Sequence, residues 1–156
     1  MSRRDQIRMT DDEVREFLDQ TKTMIICSVG KDGIPHPMPM WFALDEDGAV
    51  VMTTFTKSQK IQNLKRDPRV SLLAEAGETY SELRGVVIYG SAEVDAEVES
   101  VFGTLKKVSV RMGTVRAEDT EAVREGLRAS AKKRCLIRVK PEKVVSWDHR
   151  KLGGVY

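Results

Sequence analysis

Two Asp-Gly turns constrain this chain more than any other feature of its sequence. Each turn separates two apolar, strand-like runs. Asp-Gly between such runs is typical of a tight β-hairpin, because glycine readily adopts the positive φ that the turn requires. The sequence therefore predicts a meander of three antiparallel strands over Met24–Gly30, Ile34–Leu44 and Ala49–Phe55, with turns at Asp32-Gly33 and Asp47-Gly48.

The middle run of this meander carries prolines at alternate positions: Pro35, Pro37 and Pro39. Proline has no N–H to donate, so the strand cannot be fully hydrogen-bonded on the side that these residues face. We expect the segment to be an edge strand, a bulge or the lip of a cleft.

In the rest of the chain, the spacing of the apolar residues alternates between a helical and a strand-like period. Helices are predicted from the Thr10–Glu13 capping box to Gln20, over a short segment opened by Thr56–Lys60 and ended by Asp67-Pro68, from Glu97 to Gly113, and from Asp119 to Lys133. Strands are predicted at Arg69–Ala76, Gly85–Asp95, Cys135–Val139 and Lys143–Trp147, with Pro141 separating the last two. Without regular β-α-β alternation, this order predicts a mainly β antiparallel barrel or roll with helices on its outside or ends. Residues 1–9 are expected to be a flexible arm and residues 10–156 a single domain.

Composition excludes some classes of partner. The formal net charge is only +2, so no strong overall field favours nucleic acid. No apolar run is long enough to span a bilayer, and Cys27 and Cys135 stand far apart without metal-ligand spacing. The chain is expected to be cytoplasmic, with reduced thiols and no metal.

Local chemistry predicts a ligand site in the stretch TTFTKSQKIQNL, from Thr53 to Leu64. The start of the short helix combines two lysines, a serine hydroxyl and unpaired backbone N–H groups. Such a helix start favours an anion such as a phosphate. The alternative is that this helix start is simply exposed to water and that its lysines serve solubility. The local pattern alone leaves both interpretations open.

Five motifs follow one another from Met24 to Trp147 in the order known from one family. They are Gly33-x-Pro35-His36-Pro37-x-Pro39-x-Trp41, Thr54 with Lys57-Ser58-x-Lys60-x-x-Asn63-Leu64, Asp67-Pro68-Arg69-Val70, Gly85-Val86 to Gly90-x-Ala92, and Pro141-x-Lys143-Val144-x-x-Trp147. On these residues the chain resembles the pyridoxamine 5'-phosphate oxidase-like superfamily of FMN-binding split β-barrels. Within that superfamily it resembles the deazaflavin (coenzyme F420)-dependent oxidoreductases of actinobacteria.

The resemblance implies a six-stranded antiparallel split β-barrel that forms a homodimer with two equivalent cofactor sites. The cofactor-binding residues that it implies are Lys57, Ser58 and Lys60 at the phosphate, Thr53 and Thr54 on one side of the ring system, Pro39, Met40 and Trp41 at its other edge, Asn63 in the shared motif, and Trp147 closing the site. FMN-dependent relatives usually carry arginine where this chain has Gln59. The resemblance therefore favours coenzyme F420, with FMN as the alternative.

No acid–base pair stands out in the sequence, and no catalytic residue is predicted. His36 and His149 are candidate proton donors, although a lone histidine is more often uninvolved. A cofactor that carries hydride brings its own reactive carbon, so the protein needs only to hold the ring and the substrate together. The predicted function is hydride transfer from reduced coenzyme F420 to a small conjugated acceptor such as a quinone, enone or tetrapyrrole. Two alternatives stay open: an FMN-dependent oxidase-like flavoprotein, and a non-catalytic carrier of cofactor, haem or pigment.

Overall fold

The computed structural model describes residues 2–116 and 120–154. Five α-helices and seven strands follow one another along these residues. The helices are α1 (Arg3–Ile7), α2 (Asp11–Gln20), α3 (Gln59–Arg66), α4 (Val98–Arg111) and α5 (Glu121–Ala131). The strands are β1 (Thr23–Val29), β2 (Pro35–Trp41), β3 (Ala43–Leu44), β4 (Val50–Phe55), β5 (Arg69–Ala76), β6 (Arg84–Asp95) and β7 (Arg134–Asp148).

All seven strands belong to one antiparallel sheet in the order β2-β1-β5-β6-β7-β4-β3. The edge strands β2 and β3 are separated by a single residue, Phe42. Because this residue joins the two edges of the sheet, the sheet has to curl until they approach each other. The result is the split barrel that the resemblance implies, although the described residues contain seven strands where six were expected.

The prediction that Ile34–Leu44 forms a single middle strand of the meander is wrong. Its first part, β2, pairs with β1, whereas its last two residues form β3 and pair with β4. Both Asp-Gly turns are present, with positive φ at Gly33 and Gly48. The prolines of β2 lie on an edge strand, where a missing N–H leaves no ladder bond broken.

The C-terminal strand also differs from its prediction. Cys135–Val139 and Lys143–Trp147 were expected to be two strands, but they form one strand of 15 residues. The pairing register of β6 and β7 shifts where Gly90 faces Pro141, which is a bulge. A β-carbon at Gly90 would lie 2.4 Å from the carbonyl oxygen of Lys140. Glycine therefore allows the two backbones to approach closely, and Pro141 bends the strand without ending it.

The main core fills the interior of the curled sheet. Its fully buried side chains include Met24, Ile26, Met52, Ile61, Leu72, Ile88 and Ile137. A second, smaller cluster lies on the other face of β4, where Val51 packs with Val108 of α4. Strand β4 is therefore buried on both faces, which explains its unbroken apolar run.

The helices close the barrel at its ends and on one side. Helix α2 has the predicted capping box, in which Thr10 and Glu13 exchange side-chain and backbone hydrogen bonds. The guanidinium of Arg111 on α4 donates to the carbonyl oxygens of Leu18 and Thr21 at the end of α2, at 2.6 and 2.8 Å. The predicted start of α5 at Asp119 lies outside the described residues, and Thr120 caps that helix.

Residues 1–9 contain more structure than the predicted arm. Arg3–Ile7 form helix α1, and the side chain of Met9 is buried in the main core. Lys151 near the C-terminus donates to the carbonyl oxygen of Arg8 at 2.8 Å. The flexibility of this segment in solution stays a prediction.

Candidate functional site

A buried lysine marks the junction between β4 and α3. Lys60 is only 7% exposed, and its Nζ donates to Thr54 Oγ1 at 3.2 Å. The Thr54 hydroxyl in turn lies 3.4 Å from Ser58 Oγ. No carboxylate of the described residues lies within ion-pair distance of Lys60. Burial without a counter-charge lowers the pKa of Lys60.

The start of α3 differs from the other helix starts in the described part of the chain. Side chains of Ser2, Thr10, Glu97 and Thr120 accept a backbone N–H at the starts of α1, α2, α4 and α5. Ser58 occupies the same position in α3, but its side chain accepts no N–H. The first N–H groups of α3 thus stay available to an external acceptor. We call Thr54, Ser58, Lys60 and these N–H groups the α3 clamp, and the exposed Lys57 lies in the turn just before it.

A groove of about 660 Å³ runs beside α3 and is lined by residues 30–32 and 34–36 together with Gln59 and Asn63. Asn63 is fully buried, donates to Ser28 Oγ at 3.1 Å and accepts from Gln59 Nε2 at 2.9 Å. This network holds Gln59 along the helix and away from the clamp. His36 also lines the groove, and its Nδ1 is buried without a hydrogen-bond partner in the described chain.

A second pocket lies on the opposite face of β4. It has a volume of about 540 Å³ and combines the predicted residues Pro39, Met40, Trp41 and Thr53 with side chains of α4 and α5. We call it the helix pocket. Neighbouring strand residues point to opposite faces, so Thr53 reaches this pocket while Thr54 reaches the clamp. The structure therefore separates two threonines that were expected on one side of a ring.

A gap separates β2 from β4 beyond the short strand β3. Strand β3 pairs with β4 only at Val50 and Val51, so Met52–Phe55 have no strand partner on that side. Trp41 at the end of β2 is 52% exposed, and Phe55 at the end of β4 is 56% exposed. A flat apolar slot bordered by open backbone groups is the type of site that suits a planar ring with a few polar substituents.

Sequence reasoning missed Arg134, the first residue of β7, which lines the helix pocket. Its guanidinium carbon lies 4.3 Å from the ring centroid of Phe55, its partner across the two strands. An arginine at the start of a strand carries no local signal of function. Only the register of β4 and β7 brings it to the pocket.

Trp147 does not meet the clamp within one chain. Trp147 lies near the C-terminal end of β7, where it pairs with Gly85. Strand β4, which leads into the clamp, pairs with the other end of β7, where Leu136 faces Thr53. A β-carbon at Gly85 would lie 2.4 Å from the Trp147 ring, so glycine makes room for the indole. The second candidate proton donor, His149, is also remote, since its Nδ1 lies 3.0 Å from the carbonyl oxygen of Tyr80.

Residues 2–116 and 120–154 contain neither a candidate metal site nor a helix that could span a membrane. No group of three or more histidine, cysteine, aspartate or glutamate side chains is placed to hold a metal ion there. None of the helices combines the length and the apolar character that crossing a bilayer requires.

Solved structures with similar folds include several proteins that cover most of this chain. A conserved hypothetical protein from Mycobacterium tuberculosis has a TM-score of 0.88 at 36% identity, covering 100% of this chain and 95% of that protein. An F420 reductase has a TM-score of 0.67 at 22% identity, over 86% of this chain and 98% of the other. The haem storage protein HutZ from Vibrio cholerae has a TM-score of 0.65 at 19% identity, over 87% and 94%. At these lower identities the likeness concerns the fold alone.

The sequence itself identifies the family. No curated protein matches the chain significantly. The sequence profile of the pyridoxamine 5'-phosphate oxidase family, however, matches residues 10–148, which contain the whole sheet and the α3 clamp. The chain belongs to the pyridoxamine 5'-phosphate oxidase family of split β-barrels.

Proposed function

We propose that this protein is an oxidoreductase that binds reduced coenzyme F420 and promotes hydride transfer to a small conjugated acceptor. The observation that carries the proposal is the α3 clamp, where Lys60 is buried without a carboxylate partner in the described chain. A buried charge is costly unless it is paired. A phosphate at this helix start supplies the missing counter-charge and accepts the free N–H groups of α3.

The residues present fit such a cofactor. Lys60, Ser58 and the helix start hold the phosphate, with Lys57 contributing a second charge from the turn. Trp41, Met40 and Thr53 border the ring system at the gap between β2 and β4, and the apolar side chains of the helix pocket exclude water. When bound, the reduced deazaflavin would supply a hydride equivalent, and one proton from solvent or a side chain would complete the two-electron reduction of the acceptor. The protein's own task is to position the two molecules face to face.

Gln59 supports a deazaflavin over FMN. The FMN-dependent relatives that the sequence resembles usually carry arginine here, which adds a third charge at the phosphate. In this chain the neutral amide of Gln59 is engaged with Asn63 along the helix. The clamp thus provides less charge than a tightly held FMN phosphate is expected to need.

We propose that the protein forms a homodimer. A row of apolar side chains crosses five strands in register on the face of the sheet opposite the core: Pro39, Ile25, Leu73, Val87 and Val145. All five stay partly exposed in the single chain. A second copy is the occupant that suits this face, because the resemblance implies a homodimer in which Trp147 closes the site, and Trp147 of the same chain does not meet the clamp.

Steady-state kinetics test the function. Purified protein is mixed with reduced coenzyme F420 and the quinone menadione, and cofactor oxidation is followed by absorbance. We expect turnover well above the rate of the cofactor and quinone without protein, and a large loss in Lys60→Ala. Binding of the cofactor without any rate above that background would overturn the enzymatic role and favour the non-catalytic carrier.

Light scattering after size exclusion tests the dimer. Val87 lies in the middle of the apolar row, so Val87→Asp buries a carboxylate in the proposed interface and is expected to give monomers at micromolar concentration. Glu93→Lys changes an exposed charge on the same strand and serves as the control. A wild-type protein that elutes as a monomer would rule out this part of the proposal.

A further inference from the structure

Arg134 is held in a fixed position inside the helix pocket without a carboxylate. Its Nε donates to Ser130 Oγ at 3.1 Å, and its guanidinium stacks on Phe55. No other hydrogen bond or ion pair involves this side chain in the described part of the chain. Two contacts therefore orient the planar group, and its terminal NH₂ groups remain available.

Other arginines that contact a ring or bridge two elements near this region have acceptors for their terminal NH₂ groups. Arg128 stacks on Phe102 at 4.9 Å and also forms an ion pair with Glu99 at 3.0 Å. Arg138, further along β7, pairs with Asp45 and Asp47. Arg111 on α4 lies over Phe42 at 4.4 Å and donates to backbone carbonyl oxygens of Phe42, Leu18 and Thr21. A purely structural role thus comes with a carboxylate or backbone carbonyl partner at these positions. Arg134 lacks one and instead lines a pocket.

The pocket around Arg134 is otherwise mainly apolar. Trp41, Leu105, Val108 and Leu127 line it together with the small hydroxyl groups of Thr53, Ser109 and Ser130. Its volume of about 540 Å³ accommodates a molecule of two or three fused rings in addition to water. A single oriented cation in such surroundings selects a ligand that has a flat apolar body and one anionic group.

We propose that the helix pocket binds the acceptor substrate and that Arg134 recognises a carboxylate on it. The substrate class is accordingly a planar conjugated carboxylic acid. This inference rests on the proposed function, since it assigns the acceptor of the same reaction. It adds that the α3 clamp and Arg134 hold two different anions, on opposite faces of β4.

Binding of a matched pair of probes tests the assignment. 2-Naphthoate and its neutral analogue 2-naphthamide are titrated by calorimetry into the full-length protein without added cofactor. We expect the carboxylate to bind at least about tenfold more tightly than the amide, as for a charge-assisted hydrogen bond. Arg134→Met should abolish this preference, and Arg134→Lys should keep part of it. Arg128→Met is the matched control and should leave both affinities unchanged.

The variants separate this inference from the proposed function. Lys60→Ala should weaken coenzyme F420 binding and leave naphthoate binding within about threefold of wild type. Equal affinity of wild type for both probes, or a naphthoate affinity that depends on Lys60 and not on Arg134, would overturn the assignment. Absence of F420 binding together with an intact Arg134-dependent preference would refute the cofactor proposal, and the helix pocket would stand as an anion-selective site. A melting temperature of Arg134→Met close to that of wild type shows that lost binding does not reflect unfolding.

Discussion

Replacing Lys60 with methionine should make the cofactor-free protein more stable and at the same time weaken its function. Methionine has a similar length and fills the same space, but it carries no charge. The lysine charge is buried without a carboxylate partner in the described chain, and burial lowers the pKa of Lys60. The folded state therefore holds its proton less tightly than the unfolded chain.

The expected size follows from two opposing effects. Removing an unfavourable polar group from a functional site typically adds about 0.5–2 kcal/mol of stability. Loss of the hydrogen bond to Thr54 removes about 1 kcal/mol or less. The net gain is about 1 kcal/mol at most, or about 3 °C in melting temperature for a chain of this length. Loss of a charged hydrogen bond to a phosphate should weaken cofactor binding by about 10–150-fold.

The pH dependence gives this prediction a definite sign. A lysine whose pKa is lowered on folding destabilises the folded state at any pH below that lowered value. The penalty disappears as the pH rises through the folded pKa towards the usual value of 10.5. The stability advantage of Lys60→Met should therefore be largest near neutral pH and shrink in alkaline buffer.

Thermal unfolding of wild type and variant from neutral to alkaline pH, with and without coenzyme F420, measures all of these effects. Lys65→Met is the control, because Lys65 is an exposed lysine on the same helix and its replacement should change neither stability nor affinity appreciably. A Lys60→Met protein that is less stable than wild type and binds the cofactor equally well would refute the reasoning. Lys60 would then be a structural residue.

Two further predictions concern the scaffold. Gly90→Ala should destabilise the protein by about 1–3 kcal/mol in denaturant unfolding, since its β-carbon would lie 2.4 Å from a backbone carbonyl oxygen. Gly103→Ala is the control: Gly103 lies on α4 with open space around it, so the substitution should stabilise the protein by about 0.5–1 kcal/mol. Equal effects of the two substitutions would contradict the close approach of the backbones at the bulge. Asp148 is buried and its arginine partner lowers its pKa below the usual 3.8, so the stability that it contributes is complete above that value and is lost as the pH falls. Asp148→Asn should lower the melting temperature at neutral pH and flatten its acid limb, and an unchanged acid limb would contradict this.

Local signals accounted for much of the fold. Gly33 and Gly48 mark the two hairpin turns, and Thr10 with Glu13 caps α2, because each depends on residues adjacent in sequence. The strand boundaries that were predicted wrongly depend on residues that are distant in sequence. Pro141 was interpreted as a break because Gly90, the glycine on β6 that lets the bulged backbone of β7 approach, lies about 50 residues earlier.

The candidate site shows the same division. Ser58 and Lys60 both reach the Thr54 hydroxyl, since the turn before α3 is local, and their role in binding stays a prediction. The resemblance implied that Thr53 and Thr54 line the ring system from one side, but strand alternation sends their side chains to opposite faces of β4. Arg134 was missed because it meets Phe55 only through strand pairing with a segment about 80 residues away.

The central claim is that the α3 clamp holds the phosphate of a deazaflavin. Its most direct test is the dissociation constant of coenzyme F420 measured beside that of FMN, by tryptophan fluorescence quenching, for wild type and Lys60→Ala. We predict that wild type binds coenzyme F420 at least about tenfold more tightly than FMN and that Lys60→Ala loses most of this affinity. Tighter binding of FMN, or an F420 affinity that is indifferent to Lys60, would contradict the claim.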